Sequence, residues 1–385
     1  MAADPYTIRP DLDFVREVKA QGGESVKKCF QCATCTSTCP IAPDAKPFPR
    51  KEMLWASWGL KDRLVSDPDI WMCYQCNDCS DICPRGSNPG DVIAAIRNQA
   101  FRYFAIPGFM GKALSSAKYL PLLFAFPIII LLAFMGATGH LNIPEGTVIY
   151  DKMLYHTEIL HRHISGVDFI FVPFAGLMAL MMLLSVARMW KAMDANQLIP
   201  KAATRKSIVQ SVIEAVIEVL THKQFGQCEA NKPRFSAHLL VFYGFGALFV
   251  TTLLVMTGVY LFDKETPIRL LHPVKILANA GALVISIGLI LVISNRMKAT
   301  DAGKNNYYDW VFYLVLAGVV ASGILSELLR LADIAVVAYP MYFAHLVFVF
   351  FLIVYLPYSK FAHMVYRFTA IVWAKKNGRD VAAAS

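Results

Sequence analysis

Two short stretches of the chain carry four cysteines each at the same spacing. The first cysteine run is CFQCATCTSTCP, from Cys29 to Pro40, and the second cysteine run is CYQCNDCSDICP, from Cys73 to Pro84. Both follow the pattern C-x2-C-x2-C-x3-C-P, in which one loop carries three cysteines close enough to bind three corners of an iron–sulfur cubane. The fourth cysteine, before the proline, binds the other cluster in two-cluster ferredoxins.

The spacing therefore predicts two [4Fe–4S] clusters with crossed ligands. The ligands predicted for one cluster are Cys29, Cys32, Cys35 and Cys83. Those predicted for the other cluster are Cys73, Cys76, Cys79 and Cys39. The alternative is structural zinc, whose sites favour two separated C-x2-C pairs over four cysteines in a row. The ninth cysteine, Cys228, stands alone, and we interpret it as a buried or interfacial thiol.

Residues 1–104, which contain both runs, are balanced in charge, with 13 Lys and Arg and 13 Asp and Glu residues. The beginning of the chain is charged and polar and does not read as a secretory signal, so this part is expected in the cytoplasm. Thiols remain reduced there, which favours metal ligation over disulfides. The stretch KEMLWASWGLKDRLV (51–65) has a helical pattern. We therefore predict a cytoplasmic helical ferredoxin domain over 1–104.

The remainder, 105–385, is predicted to be a membrane domain. Hydrophobic residues make up 56% of the sequence, which is high for a soluble protein. Six apolar stretches are long enough to cross a bilayer as helices, at about 119–139, 168–189, 237–262, 273–294, 308–331 and 335–358. The expected fold class is all-α, with the two-cluster ferredoxin domain followed by a six-helix transmembrane cytochrome b bundle.

Positive charge is distributed unequally between the loops that these spans define. Eight Lys and Arg residues lie in 188–236, three in 295–307 and five in 359–385, against two each in 140–167 and 263–272. Because basic loops stay on the cytoplasmic side, both termini are predicted to lie inside. Basic loops beside apolar spans indicate membrane orientation, so no nucleic-acid partner is expected.

The inner loop 188–236 contains RKSIVQSVIEAVIEVLTHKQF, with apolar residues at helical spacing. This pattern predicts an amphipathic helix. Two placements are open: on the membrane face or a partner, and packed on its own bundle.

The histidines suggest a second kind of cofactor. Haem b needs two axial histidines, and no histidine follows a C-x-x-C, so covalent c-type haem is not expected. His345 lies within the last span and His363 at its inner end, 18 residues on. Eighteen residues are about five helical turns, so we predict that the two histidines share a helical face and stand about 27 Å apart along the axis. His238 opens the third span at the depth of His363, which predicts a haem between these two.

The partner of His345 is open. The candidates at the outer side are His163, His161, His156 and His272. We prefer His163 because it is nearest to the start of an apolar span. The alternative for each is an interfacial histidine without metal, although a histidine at the membrane depth of His345 is costly unless it is functional.

The two runs, with HKQFGQCEANKPRFSAHLLVFYGF and YFAHLVFVFFLIVYLPYSKFAHMVYR, resemble the heterodisulfide-reductase-like membrane subunits. In these proteins a ferredoxin of the HdrC type is fused to a cytochrome b of the HdrE type. The chain most resembles the QmoC family, from the quinone-interacting membrane-bound oxidoreductase (Qmo) complexes of sulfate-reducing bacteria. Its membrane half also resembles the gamma subunit of respiratory nitrate reductase, which binds two haems b. His238, His345 and His363 match that pattern, whereas Leu248 stands where the fourth histidine is expected.

This resemblance implies a role and a set of partners. The role is electron transfer between menaquinone, haem b and two [4Fe–4S] clusters in the bacterial inner membrane. The partners are heterodisulfide-reductase-A-like flavoproteins, Qmo A and B, and indirectly adenylylsulfate reductase. The sequence contains no Cys-Cys-Gly and no G-x-G-x-x-G motif, so the flavin and the site for a soluble substrate are expected in other chains. The alternatives are a relay subunit of a sulfite-reduction or heterodisulfide reductase complex, and a membrane-anchored redox sensor without haem.

Overall fold

The computed structural model describes residues 9–43, 47–150, 157–159, 162–196, 206–228, 232–264, 266–298 and 307–379. In this part of the chain the regular structure is helical except for one antiparallel hairpin, formed by β1 (Thr157–Ile159) and β2 (Arg162–Ile164). The all-α prediction therefore omitted a small hairpin in a loop between two spans. The β-branched residues Thr157, Ile159 and Ile164 favour the extended backbone there.

The N-terminal part is built from short helices around one longer helix. Its helices are α1 (Leu12–Val18), α2 (Thr34–Ser37), α3 (Arg50–Ser57), α4 (Lys61–Val65), α5 (Asp69–Met72), α6 (Asp78–Asp81), α7 (Pro89–Phe104) and α8 (Gly108–Leu114). Helix α7 buries Val92, Ile96 and Phe101 at helical spacing, and it contacts α1, α3, α4, α5 and α6. It is therefore the helix on which the N-terminal core is organised.

In the described part of the chain, six helices are long and apolar enough to cross a membrane, which is the number predicted. They are α9 (Leu120–Ala137), α10 (Gly166–Ala195), α12 (Lys232–Phe262), α13 (Pro273–Lys298), α14 (Tyr307–Leu331) and α15 (Ala335–Val354). Between 6% and 39% of each apolar window is buried within the protein. Most apolar side chains therefore face outward, as in a bundle surrounded by lipid.

The last span ends earlier than the predicted 335–358. Helix α15 stops at Val354, two 3-10 turns follow at Leu356–Tyr358 and Lys360–Ala362, and α16 (His363–Lys376) begins after them. Pro357 explains the break, because proline lacks a backbone N–H and disfavours helical backbone in the residue before it. His345 and His363 thus lie on different helices, and the prediction that they share one helical face is wrong.

The C-terminal helix returns to the N-terminal part of the chain. Helix α16 contacts α5 and α10, and its Tyr366 is buried beside Trp71 and Phe101, with ring centroids 5.3 and 5.8 Å away. Trp71 and Phe101 meet edge to face at 5.2 Å. The cysteine-bearing part and the membrane part therefore share one hydrophobic core at this junction.

The predicted amphipathic helix is α11 (Ile208–Thr221). Its Ala215 is buried against Ile371 and Val372 of α16, so the placement on its own bundle is observed for one face. Tyr243 of α12 donates a 2.6 Å hydrogen bond to the Leu220 carbonyl, which joins the end of α11 to a span. A second apolar face stays exposed, with Val209, Ile213, Val216 and Ile217.

Candidate functional site

The two cysteine runs adopt the same backbone conformation. Gln31 and Ala33 in the first run have φ of 59° and 70°, and Gln75 and Asn77 in the second run have φ of 54° and 72°. These left-handed residues curl each loop between its cysteines before one turn of helix, α2 or α6, carries the third cysteine. The repeated spacing in the sequence is therefore a repeated local structure.

The first three cysteines of the first run face the last cysteine of the second run. Burial raises the pKa of the Cys35 thiol, and the sulfurs of Cys29, Cys32 and Cys83 raise it further. Cys32 is exposed, and a hydrogen bond with Thr34 lowers its pKa. Four sulfur donors are thus brought together at the surface of the N-terminal part of the chain.

The complementary set meets at a second position. Burial raises the pKa of Cys39 to about 12, and Cys73 and Cys76 raise it further. Burial also raises the pKa of Cys79, which faces Cys39, Cys73 and Cys76. These four sulfurs line a cavity with apolar walls at Ile41, Phe48 and Ile93.

The donor chemistry and the cavity fit a [4Fe–4S] cluster at the second position. Four sulfurs around an otherwise apolar space match the four-cysteine ligation of such clusters. Asn77 lines the same cavity, and a Cβ added to Gly90 of α7 would lie 2.0 Å from its Oδ1. A larger residue at position 90 would therefore have to displace the Asn77 side chain, which packs α7 against the second run.

Cys228, interpreted from the sequence as a buried or interfacial thiol, is fully buried against the second run. Its Sγ lies within 4.8 Å of Cys76 Sγ and of a carboxylate oxygen of Asp78. A hydrogen bond with Cys228 lowers the pKa of the Cys76 thiol. No sequence pattern indicated this contact, because 152 positions separate the two cysteines.

Three guanidinium groups also hold the second run. Arg97 Nη2 donates to the Cys73 carbonyl at 3.0 Å, Arg234 Nη1 to the Gln75 carbonyl at 3.2 Å, and Arg367 Nη2 to the Met72 carbonyl at 3.3 Å. Two of the three belong to the membrane part of the chain. They place positive charge beside the second group of cysteines, where it would stabilise a negative cluster.

His238 and His363, predicted from the sequence to bind one haem, belong to different elements. His238 lies near the start of α12, and its imidazole is close enough to His363 for the two rings to interact electrostatically. Among the residues that the structure describes, none hydrogen-bonds the buried Nδ1 of His238. His363 begins α16, with Nδ1 2.6 Å from the Lys360 carbonyl.

The chemistry of these two imidazoles fits the axial ligands of a haem b. The carbonyl of Lys360 holds the proton on Nδ1 of His363 and leaves its Nε2 available, as in histidines that bind metals. Burial lowers the pKa of His363 to about 4, so its ring is neutral. Two imidazoles from separate helices are the donor set that bis-histidine haem requires.

His222 is a third imidazole at this place that the sequence did not single out. Its ring centroid is 5.1 Å from that of His238, it is buried, and burial lowers its pKa. Phe225 also packs on His238, with ring centroids 5.4 Å apart. The left-handed backbone of His222 ends α11 and turns the chain toward α12, which explains why a local pattern does not reveal the contact.

His345 is oriented by the neighbouring span α14. Its Nδ1 lies 3.1 Å from the Val319 carbonyl and 3.0 Å from Ser322 Oγ, so Nε2 is again left available. A Cβ added to Gly323 would be 3.0 Å from His345 Cε1, so the ring lies directly on the α14 backbone. A polar ring held in this way within a span fits a ligand role.

The predicted partners of His345 are only partly within the described structure. His163 pairs with Glu158 in the β1–β2 hairpin, and its side chain lies outside the described part. His156 and His161 also lie outside the described residues. His272 is exposed before α13, where its Nδ1 accepts a 3.3 Å hydrogen bond from the Val274 amide.

Six membrane-length helices and an N-terminal part with two groups of four cysteines are the features of a multi-pass iron–sulfur protein. A family model described as 4Fe-4S dicluster domain matches residues 25–87, which hold both runs. A second, described as Citrate utilization protein B, matches residues 155–384, more than half of the chain. The chain belongs to the citrate utilization protein B family.

Individual relatives resemble a smaller part of the chain. The chain is 42% identical over 103 residues to the C subunit of the H(2):CoB-CoM heterodisulfide,ferredoxin reductase of Methanothermobacter marburgensis, covering 27% of this chain and 54% of that protein. It is 38% identical over 89 residues to the iron-sulfur C subunit of the CoB--CoM heterodisulfide reductase of Methanopyrus kandleri, covering 23% and 44%. The chain spans about half the length of the curated relatives it matches. No solved structure matches it.

Proposed function

We propose that this protein is the membrane electron-transfer subunit of a quinone-dependent oxidoreductase complex. It relays electrons between menaquinone, haem b and two [4Fe–4S] clusters, to or from flavoprotein partners. The observation that carries the proposal is the packing of the second run, through Tyr74 and Phe225, on His238 of the His238–His363 pair. This packing links two redox ligand sets in one chain.

The clusters are proposed with crossed ligands. One is bound by Cys29, Cys32, Cys35 and Cys83, and the other by Cys73, Cys76, Cys79 and Cys39. The electrostatic contacts of Cys35, Cys39 and Cys79 support this division, since Cys35 and Cys39 face members of their own set and Cys79 interacts more strongly with its own set than with Cys35. The dicluster family match over residues 25–87 supports two clusters over structural zinc.

Two haem b sites are proposed in the membrane part. His238 and His363 are the ligands of the inner site, and His345 with His163 those of the outer site. A bound haem supplies a centre that gains and loses one electron. The Lys360 carbonyl at the inner site and the Val319 carbonyl at the outer site each orient a histidine ring by accepting a hydrogen bond from its Nδ1–H.

The complex is proposed to be of the Qmo kind, in the bacterial inner membrane with both termini and the clusters on the cytoplasmic side. Its partners are then Qmo A and B, heterodisulfide-reductase-A-like flavoproteins that connect it to adenylylsulfate reductase in sulfate respiration. The basic loops on the inner side support this orientation.

A heterodisulfide reductase complex is the second candidate. Relatives from Methanothermobacter marburgensis and Methanopyrus kandleri are named as subunits of such enzymes, which favours a relay of the same kind with different partners. The two candidates differ in the electron carrier. Reduction of the purified chain by a menaquinol analogue supports the first, and failure of that reduction in a chain with intact clusters and haem favours the second.

The first experiment is a reduced-minus-oxidised optical spectrum of the purified chain, with haem and iron quantified per polypeptide. Two haems b and about eight irons are expected, since each cubane holds four. His238→Ala removes one haem, whereas His272→Ala, at an exposed histidine, removes none. One haem in the wild type would limit the site to His238 and His363, and its complete absence would favour the membrane-anchored sensor.

A further inference from the structure

The two cysteine groups differ in what surrounds them. We infer that the cluster of the second run, bound by Cys73, Cys76, Cys79 and Cys39, is the membrane-side centre that exchanges electrons directly with the His238–His363 site. The cluster of Cys29, Cys32, Cys35 and Cys83 is then the centre farther from the membrane, and it faces the soluble partner. This order of centres rests on the proposed relay function.

An aromatic pair joins the second run to the histidines. Tyr74 lies between Cys73 and Cys76, and its ring centroid is 5.4 Å from that of Phe225. Phe225 is in turn 5.4 Å from the ring centroid of His238. One tyrosine and one phenylalanine therefore bridge the space between the cysteine loop and the His238 imidazole.

The same loop is fastened to the membrane part by polar contacts. Arg367 lies 3.7 Å from the centroid of the Tyr74 ring while it donates to the Met72 carbonyl. Arg234 donates to the Gln75 carbonyl, and Cys228 lies against Cys76. These contacts come from segments that flank the start of α12 or form α16, the same segments that carry the two histidines.

The first run has a different environment. Phe30 occupies the position that corresponds to Tyr74, and 67% of its surface is exposed. Its contact partner is the Arg85 guanidinium, whose Cζ lies 4.0 Å from the ring centroid. Cys32 is exposed and Ile82, beside Cys83, is 48% exposed. The side-chain contacts described for the first run, such as those of Gln31 and Thr36, are with residues of the N-terminal part.

Each transfer in this order moves one electron and no atoms. A haem held by His238 and His363 would give up one electron as the second-run cluster gains one, and that cluster would then pass the electron to the first-run cluster. A lipid quinol supplies the electrons and releases its protons when it is oxidised to the quinone. Arg97, Arg234 and Arg367 stabilise the added negative charge on the second-run cluster, which supports its role as the first acceptor outside the membrane.

A distance measurement tests the order without depending on quinone chemistry. A nitroxide label is attached through p-acetylphenylalanine introduced in place of Tyr243, an exposed position on α12 close to His238, because its ketone can be labelled in the presence of free cysteine thiols. The label is combined with Cys32→Ser, which leaves only the second-run cluster, or with Cys79→Ser, which leaves only the first-run cluster. Dithionite reduces the remaining cluster, and iron content and the cluster spectrum verify that it is intact.

The reduced second-run cluster is expected to shorten the spin relaxation of the label more than the reduced first-run cluster does. The opposite result overturns the inference. If the label result is as expected but a quinol analogue reduces neither cluster in the wild type, the proposed function fails and the order of centres stands.

A matched pair of variants covers the case in which a single-cluster chain does not fold. Tyr74→Leu and Phe30→Leu alter equivalent positions of the two runs and leave all eight cysteines in place. Rapid freezing after mixing with the quinol analogue follows cluster reduction by electron paramagnetic resonance. Tyr74→Leu is expected to slow the reduction of both clusters and Phe30→Leu to leave it unchanged, and a slower rate only in Phe30→Leu contradicts the inference.

Discussion

The fourth cysteine of each run shows how a single residue links two halves of a site. Cys39 and Cys83 each precede a proline and follow a one-turn helix, so the backbone leaves the loop just after the third cysteine. Each then faces the other run, Cys39 toward Cys73 and Cys76, and Cys83 toward Cys35. The two runs consequently constrain one another. Loss of the fourth cysteine of one run removes a ligand from the group formed mainly by the other run.

Cys228 is predicted to tune the second-run cluster. The Cys228 Sγ lies within 4.8 Å of the Cys76 Sγ, and a hydrogen bond from this thiol to the Cys76 sulfur would stabilise the more negative reduced cluster and raise its potential. Cys228→Ala is therefore expected to lower the midpoint potential of one cluster, and Cys228→Ser, which retains a donor, to restore most of it. Potentiometric titration followed by electron paramagnetic resonance measures this, with iron content as the control. Loss of four irons in Cys228→Ala would instead make Cys228 a ligand.

Glu52 is predicted to make the stability of the protein depend on pH. It is fully buried beside Lys51, Asp67 and Asp69, and burial raises its pKa to about 8, an effect that Lys51 opposes and the two aspartates reinforce. A carboxyl whose pKa is raised by folding stabilises the folded state while it is protonated. This stabilisation is fully present below the unfolded pKa of 4.5 and is lost as the pH rises to the folded pKa of about 8. Glu52→Gln should remove that loss.

The Glu52 prediction is checked by thermal unfolding at pH values from about 5 to about 9, a range that covers the window in which the linkage acts. Glu52→Gln is expected to gain stability relative to the wild type as the pH rises. Asp62→Asn, at an exposed carboxylate, serves as the control and should follow the wild-type curve. Parallel curves for all three proteins would contradict a titrating Glu52.

Among the secondary-structure elements, the segment after α16 is held by a buried ion pair. Arg379 contacts both carboxylate oxygens of Asp69, and Lys51 Nζ lies 2.7 Å from Asp69 Oδ2 and 2.6 Å from Asp67 Oδ2. The side chains of Arg379 and Asp69 are 2% and 1% exposed. The pair thus attaches the C-terminal end of the described chain to α5, next to the second run.

Arg379→Ala is expected to destabilise the protein by about 3 kcal/mol, because it leaves buried carboxylates with one cation fewer. Arg16→Ala breaks an exposed pair with Asp13, 75% and 85% exposed, and should cost at most about 1 kcal/mol. Denaturant unfolding of both purified variants gives the comparison. Equal effects of the two substitutions would show that the buried pair does not anchor the segment.

The two parts of the chain form one continuous structure at their junction. Trp71 and Phe101 from the cysteine-bearing part and Tyr366 from α16 are buried together, and Arg367, next in sequence to Tyr366, reaches the second run. Packing in the C-terminal helix therefore bears directly on the geometry of the cysteine site.

Tyr366→Ala is accordingly expected to weaken iron binding by the second group of cysteines, although Tyr366 is far from these cysteines in the sequence. Removing a buried aromatic side chain costs about 3–5 kcal/mol, and the cavity would lie beneath Trp71. The variant should release iron at a lower temperature than the wild type. The loss of visible absorption on heating measures this release. Tyr119→Ala, at a residue 42% exposed, is the control, and identical release curves would argue against a shared core.

Features that depend on neighbouring residues could be predicted from the amino-acid sequence. The spacing of the cysteines specifies the repeated loop, because left-handed residues and one helical turn act within a few positions. The length of the apolar stretches specifies six membrane-length helices, because bilayer thickness sets that length. The end of α15 was also readable from Pro357, although we predicted the helix to continue past it.

Which cysteine run approaches the histidines depends instead on tertiary packing. The contacts of Cys228 with Cys76, of Phe225 with Tyr74 and of Arg367 with Met72 join segments more than 140 positions apart. No local pattern specifies such contacts, since they arise from the return of α16 and of the chain before α12 to the N-terminal part. The spacing predicted two equivalent runs, and packing made one of them the neighbour of His238.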